Sequence, residues 1–483
     1  MQGIIGRIKQ IAELERLYVS GRSEFVAVYG RRRVGKTFLV RELFRERMTF
    51  FHTAISPIEA DFSGFDINRQ QLIEFYSSLK RYGSEAEVVP KDWFEAFGCL
   101  VELLESREKT ERIVIFIDEL PWMDSVGSGF VSALEHFWNG WADAQGNVML
   151  VVCGSASSWI SDNLLNNHCG LYGRVTSEIR LEPFTLYECE CYLKSRGVQY
   201  DRYDIVQNYM IMGGIPYYMN SIVPGMSLAQ NIDTAFFSKG AKFRYEFDRL
   251  YRSLFADSDK YMAIVRLLAT RSDGFTRREI AEKTGIPYNG RLSSALKSLE
   301  GSDFIVSYIY YGGSSREVYY KLVDSFSIFY LKFVDGVKTL NSKFWSENLL
   351  SPSLNAWRGY SFETLCMVHI EQIKLALGIL GVRTVSGPWR SRNRENKAQV
   401  DLVISRADRV VNLCEMKFTA DEFSVDSSYD AELRRKVVRF TEETKAKGGI
   451  VPTLVTTYGL QYNQYSSRFG KVVTMDDLFR DIK

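Results

Sequence analysis

The chain has 483 residues, 46% hydrophobic and 25% charged, which is the composition of a soluble globular protein with a sizeable core and room for roughly two to four domains. Its 61 basic and 59 acidic residues cancel to a formal +2, so global charge does not drive the chain onto nucleic acid, and any such contact must be local. Seven scattered cysteines argue against a disulfide framework, the four histidines lack zinc-ligand spacing, and no run reaches the roughly 20 apolar residues of a membrane span; a cytoplasmic protein without membrane contact is expected.

Residues 24–29, Glu-Phe-Val-Ala-Val-Tyr, predict a short buried strand. It runs into Gly30-Arg31-Arg32-Arg33-Val34-Gly35-Lys36-Thr37, then into an apolar stretch of helical spacing that opens on Phe38. Strand, glycine loop and helix thus follow in the order that the G-x-x-x-x-G-K-[ST] phosphate loop requires. Gly30 and Gly35 let the backbone curl so that N–H groups and the helix N-terminus face phosphates, and Lys36 reaches the β and γ phosphates. Thr37 supplies a hydroxyl to Mg²⁺. Residues 30–38 are the candidate contacts for ATP; Arg31, Arg32 and Arg33 either touch the triphosphate or decorate the loop surface.

Residues 112–119, Arg-Ile-Val-Ile-Phe-Ile-Asp-Glu, predict a central parallel strand with two carboxylates at its end. Asp118 is the candidate Mg²⁺ ligand, through water, and Glu119 the group that orients or deprotonates the attacking water. A third apolar strand, 148–153, ends at Gly154-Ser155. Ser155 either senses the γ-phosphate or ends the strand.

These segments, with Gly170-Leu171-Tyr172-Gly173-Arg174 and Gly213-Gly214-Ile215-Pro216-Tyr217-Tyr218, resemble the AAA-like branch of P-loop ATPases, and more narrowly the prokaryotic ATPases that carry a C-terminal DUF234-type domain. The resemblance spans nearly the whole chain and implies an ATP-binding protein with a nuclease-like tail. It also implies that Arg174 completes a nucleotide site, commonly that of a neighbouring subunit in a homo-oligomer; a local salt bridge is the alternative. Residues 181–255 have helical periodicity broken at Gly213-Gly214 and Pro216, consistent with a helical lid.

In the middle segment, Thr276 with Glu279 predicts a capped helix, and Leu292, Ala295, Leu296 and Leu299 form the inward stripe of the next. Two strands, 304–310 and 317–322, flank a Gly312-Gly313 turn, and the whole reads as a winged helix. Its outward residues Asn289, Arg291, Ser293, Ser294 and Lys297 are only weakly basic, so DNA reading competes with a packing role.

A C-terminal α/β unit is expected from about Ala356. Asp401, then Glu415-x-Lys417, resembles the D…E-x-K pattern of PD-(D/E)xK nucleases, and Glu363 matches the helical acidic residue of many members; the proline is absent. Glu415 and Lys417, two apart on a strand, share a face. Asp401, Glu415 and Glu363 are thus candidates for a second Mg²⁺ or Mn²⁺, and Lys417 for positioning or activating water. The stretch 387–397 reads as a basic loop whose Trp389 stacks a base, or as an ordinary solvated loop; Arg434-Arg435-Lys436 with Arg439 reads as balanced by Glu432, Glu442 and Glu443.

The expected fold is α/β: a P-loop AAA-like ATPase core (1–180), a helical lid (181–255), a winged helix (256–335), a connector (336–355) and a restriction-endonuclease-like α/β domain (356–483). The expected function is Mg²⁺-dependent ATP hydrolysis controlling a domain that binds or cleaves DNA. The alternative is an ATP-regulated switch or scaffold.

Overall fold

The computed structural model describes residues 3–56, 66–107, 112–155, 157–165, 171, 173–255, 257–337, 341–392 and 397–482. Two compact units divide the chain. One holds Met1–Pro183, Asp248–Met262 and Ser293–Asp303; the other holds Phe184–Phe247, Ala263–Leu292 and Phe304–Lys483. Among the described residues, no helix is long and apolar enough to cross a membrane.

The first unit is built on a five-stranded sheet of β1 (Glu24–Tyr29), β2 (Phe50–Thr53), β3 (Ile113–Asp118), β4 (Val148–Gly154) and β5 (Ser177–Arg180). The order is β2-β3-β4-β1-β5, and every pair is parallel. A parallel sheet is covered on both faces, which is why β3, apolar up to Asp118, and β4 are buried along their whole length. Alternate residues, among them Phe25, Ile115, Ile117 and Leu150, share a core with Phe75, Trp93, Phe97 and Phe130 of the helices Ile67–Arg81, Trp93–Glu105 and Phe130–Phe137. The Trp93 and Phe130 rings meet edge to face at 4.9 Å. Burying each such ring contributes about 1.5–3 kcal/mol, which fixes the strands from which the loops emerge. Because all strands run the same way, the loops after β1, β3 and β4 leave one edge of the sheet. The phosphate-loop helix α1 (Lys36–Leu43) starts there.

In the second unit, the helix Arg202–Met212 ends on Gly213 in the left-handed conformation (φ 68°), and Pro216 opens the next helix, Pro216–Met219, at its first turn. Thr276 caps α2 (Arg277–Thr284) in a capping box with Glu279, as the sequence predicts. The helix α3 (Gly290–Gly301), whose residues from Ser293 onward belong to the first unit, buries Leu292, Ala295, Leu296 and Leu299, the predicted stripe. Strands β6 (Phe275–Thr276), β7 (Ile305–Tyr308) and β8 (Tyr319–Leu322) form an antiparallel sheet in the order β6-β8-β7.

The C-terminal part begins with α4 (Pro352–Val368), four residues ahead of the expected Ala356. Ser351 caps it through the Leu354 N–H, and Pro352 takes the first turn, where its missing donor costs nothing. Three strands follow, β9 (Thr384–Arg390), β10 (Gln399–Arg406) and β11 (Val410–Lys417), then α5 (Ser427–Thr444), β12 (Gly449–Thr456) and β13 (Lys471–Thr474). The sheet order is β13-β12-β11-β10-β9; β9, β10 and β11 run antiparallel as a meander, and α5 carries the crossover to the parallel β12. Gly387–Arg390, expected in a loop, are therefore the end of edge strand β9. An edge accepts Pro388, because that residue owes the ladder no N–H on its open side. There the Pro388 carbonyl instead accepts the Tyr311 N–H at 2.9 Å.

Candidate functional site

The phosphate loop folds as a turn that few residues permit. Gly30 has φ 139° and Gly35 φ 97°, and a Cβ on Gly30 would meet the Leu181 carbonyl oxygen at 2.2 Å. Lys36 is buried and donates to the Gly30 and Arg31 carbonyl oxygens at 2.9 and 3.0 Å, so its ammonium is held inside the loop. The Val34 carbonyl accepts from Arg7 at 3.2 Å. Arg31 is 2% exposed and therefore not a surface decoration, and Arg32 donates to the Ser253 carbonyl at 3.0 Å while facing the Trp122 ring. Arg33 takes a left-handed backbone (φ 74°), and Phe38 stands exposed on the first turn of α1.

Thr37 donates to both carboxylate oxygens of Asp118, at 3.1 and 2.9 Å, which joins the loop after β1 to the end of β3. Burial raises the Asp118 pKa, and the charge of Glu119 adds to this; the Cys153 thiol, Thr37 and Lys36 oppose it. The pair offers the hard oxygen donors that Mg²⁺ prefers, so these residues fit the ion. Glu119 adopts a left-handed backbone (φ 52°), uncommon outside glycine, and its carboxylate accepts from the Ser155 N–H at 3.2 Å and hydroxyl at 2.9 Å. The sequence-predicted Ser155 and Glu119 thus meet directly. Arg174 lies elsewhere: it precedes β5 and sits 3.9 Å from Asp143, which precedes β4. Both mark the amino ends of strands, opposite the edge that carries the phosphate loop of the same chain. Gly170 and Tyr172 of its motif lie outside the described residues.

In the second unit, Leu402 pairs with Cys414, and the next step of that register sets Asp401 opposite Glu415. The β9–β10 register shifts between Val400 and Val403, a bulge at Asp401 of the kind that re-aims a side chain. The Asp401 carboxylate accepts the Met416 N–H at 2.9 Å. Glu415, its side chain 1% exposed, accepts from Lys436 through both oxygens at 2.9 and 2.8 Å and from the Tyr429 hydroxyl at 3.2 Å; the Lys417 ammonium lies 3.8 Å away. Burial raises the Glu415 pKa, then the Asp401 charge, against Lys436 and Lys417. Glu363, from α4, is pushed up to about 7 by burial and by Asp401, with Lys321 and Lys417 opposing. Glu363, Asp401, Glu415 and Lys417 are therefore one electrostatically connected centre, although they come from three elements.

Two members were not legible as functional. Lys436 belongs to the cluster that reads as balanced by nearby glutamates, yet it points inward with Tyr429, Leu433 and Phe440; a lysine on an apolar helical stripe was the available signal. As read, Arg439 pairs with Glu442 and Lys436 also reaches Glu432 at 3.2 Å, whereas Arg434 pairs with Asp430 instead. Lys321, on β8, is 5% exposed and interacts with the charges of Glu363, Asp401 and Asp273; burial lowers its pKa. Trp389 corrects the base-stacking expectation, because its ring is buried against Phe440 at 5.3 Å. A cleft of about 1070 Å³ opens beside the centre, lined by Tyr310, Arg390, Arg392, Lys397, Asp401 and Lys436 among others. Residues 393–396 of the expected basic loop lie outside the described residues. Among the described residues, no three acidic, histidine or cysteine side chains gather closely enough to hold a metal ion. The expected ligand set of Glu363, Asp401 and Glu415 is therefore not gathered as a metal cage, and both Glu415 oxygens are engaged by Lys436 and Tyr429.

Residues 5–222 match a family of ATPase domains found predominantly in Archaea. Over 415 residues the chain is 23% identical to an uncharacterized protein of Methanocaldococcus jannaschii, with 83% of each chain covered. Among solved structures it is similar to a Walker-type ATPase of Pyrococcus abyssi, at 17% identity and a TM-score of 0.48, over 68% of this chain and 96% of that one. It is also similar to the ORC2 protein of Aeropyrum pernix, at 13% identity and a TM-score of 0.40, over 67% and 92%. Residues 5–222 are a P-loop ATPase domain, and the chain is an ATP-binding enzyme.

Proposed function

We propose that ATP hydrolysis at Gly30 to Thr37 controls a C-terminal centre that cleaves phosphodiester bonds in DNA. One observation carries the second half of this reading: Asp401 and Glu415 flank the paired Leu402 and Cys414 of β10 and β11, with Lys417 on the same strand as Glu415 and Glu363 feeling the charge of both carboxylates. The order helix, three antiparallel strands, helix and parallel strand supports a PD-(D/E)xK-like domain, with α4 supplying Glu363. When bound at Asp401 and Glu415, a divalent cation would supply Lewis-acid stabilisation of charge on a phosphodiester. Lys417 orients the attacking water, and the basic residues Arg390, Arg392 and Lys397 guide the strand along the cleft. The α3 face contributes little to DNA contact in this reading, because Lys297 pairs with Asp162 at 2.7 Å and Ser298 faces Ser158. This favours the packing role of the winged helix.

The test is a screen of single-stranded, duplex and branched DNA with Mg²⁺ or Mn²⁺ and ATP. Wild type is expected to cut at least one substrate, and Asp401→Asn none. If wild type cuts none, the second reading, a nucleotide-regulated scaffold, takes its place. The full engagement of Glu415 by Lys436 and Tyr429 favours that reading.

In the ATPase domain, Glu119 activates water and Ser155 holds it in place, consistent with their hydrogen bonds. Arg174 acts in trans on the nucleotide of a second copy, which its position at the amino ends of the strands supports. Arg174→Ala is expected to leave ATP affinity unchanged and to lower turnover about tenfold or more. Wild-type turnover per chain should also rise with protein concentration. Concentration-independent turnover, with the variant equal to wild type, would leave Arg174 as a partner of Asp143 only.

A further inference from the structure

Three ammonium groups, Lys321, Lys417 and Lys436, surround Glu363, Asp401 and Glu415, with Asp273 and Glu432 as further carboxylates facing Lys321 and Lys436. Two of the lysines belong to the α/β domain and attend Glu415. The third comes from the hairpin far upstream. Tyr319 and Lys321 alternate with Tyr320 on β8 and therefore leave one face of it. On that face Arg390 of β9 donates to the Tyr319 hydroxyl at 2.5 Å, and the Lys321 ammonium sits 5.0 Å from the centre of the Tyr360 ring, one helical turn before Glu363 on α4. The hairpin is held on the domain through the Tyr311–Pro388 backbone hydrogen bond and the stacking of Tyr311 on Phe440. A buried ammonium is costly unless opposing charges repay it, and here Glu363, Asp401 and Asp273 offset part of the cost of burial.

We propose that Lys321 is an internal counter-ion of the carboxylate centre, a positioning residue supplied by the β7–β8 hairpin that takes up the negative charge a divalent cation would otherwise neutralise. The inference rests on the reading of this centre as cation-binding. It explains why the described residues present no closed metal cage although three carboxylates interact. It also makes cation affinity depend on the hairpin: with Lys321 in place, a divalent ion meets a compensated centre; with its charge removed, the carboxylates attract the ion without competition. A unit charge a few ångströms from the ion, at the effective dielectric of a protein site, is worth more than tenfold in affinity.

The experiment is a Mn²⁺ titration of the full-length, nucleotide-free chain, followed by electron paramagnetic resonance and by thermal unfolding. Lys321→Met is expected to melt lower than wild type without metal, to bind Mn²⁺ at least about tenfold more tightly, and to recover more melting temperature on adding it. Lys321→Arg, which keeps the charge, should stay within about threefold of wild type. Asp401→Asn should abolish the added binding and so locate it at the centre. If Lys321→Met folds poorly, Lys321→Met/Glu363→Gln restores the balance, and its melting temperature should exceed that of the single variant. Unchanged or weaker Mn²⁺ binding in Lys321→Met, or no recovery in the double variant, overturns the counter-ion. If wild type cuts no DNA but Lys321→Met gains Mn²⁺ affinity, the nuclease reading fails and the counter-ion stands.

Discussion

Lys36→Ala is expected to lose ATP binding by about 100-fold or more and to hydrolyse ATP no faster than background. The ammonium is buried and bonded to the Gly30 and Arg31 carbonyls, so it is already pointed into the loop. Each hydrogen bond it makes to a phosphate oxygen is charge-assisted and worth about 1.5–3 kcal/mol, and alanine supplies no substitute. Glu119→Gln should behave differently. The amide still accepts from Ser155 and keeps the loop in place, so ATP affinity holds, while loss of the base slows turnover about 10²- to 10⁴-fold. Fluorescent-nucleotide binding and phosphate release separate the two effects. Unchanged hydrolysis in either purified variant would refute its assignment.

Lys417→Ala carries the second large effect. It should reduce metal-dependent DNA cleavage by about 10²-fold or more, while ATP turnover stays within about twofold of wild type. The ammonium is a third exposed and stands 3.8 Å from a carboxylate whose other partners are Lys436 and Tyr429. Removing it therefore leaves the buried Lys436–Glu415 pair intact. A loss of cleavage accompanied by unfolding would point to structure, so the melting temperature is measured beside the rate. Lys436→Ala is the contrasting variant: breaking a buried pair costs about 3–5 kcal/mol, and it should lower stability together with cleavage.

What the sequence makes legible divides by distance along the chain. The phosphate loop is readable because its glycines, lysine and threonine are contiguous and its strand and helix flank it. Asp118 and Glu119 are readable because a parallel strand buried on both faces is apolar until the residue at which it reaches the site. The strand pair bearing Asp401 and Glu415 is readable through two-residue periodicity. Trp389 is misread because a short polar stretch with a proline looks like a loop, whereas an edge strand tolerates proline and the domain core needed the indole. Lys321 and Lys436 escape notice for another reason. Each joins the centre only through tertiary packing, one from a hairpin and one from a helical stripe, and neither lies in a spacing pattern with Asp401 or Glu415.

The claim that the nucleotide site controls the carboxylate centre is tested most directly by the cleavage rate of one labelled DNA substrate, measured with and without ATP for wild type, Lys36→Ala and Lys417→Ala. ATP is expected to change the wild-type rate several-fold, to have no effect on Lys36→Ala, and to find no cleavage to change in Lys417→Ala. A wild-type rate identical with and without ATP, or cleavage that survives in Lys417→Ala, would contradict the account.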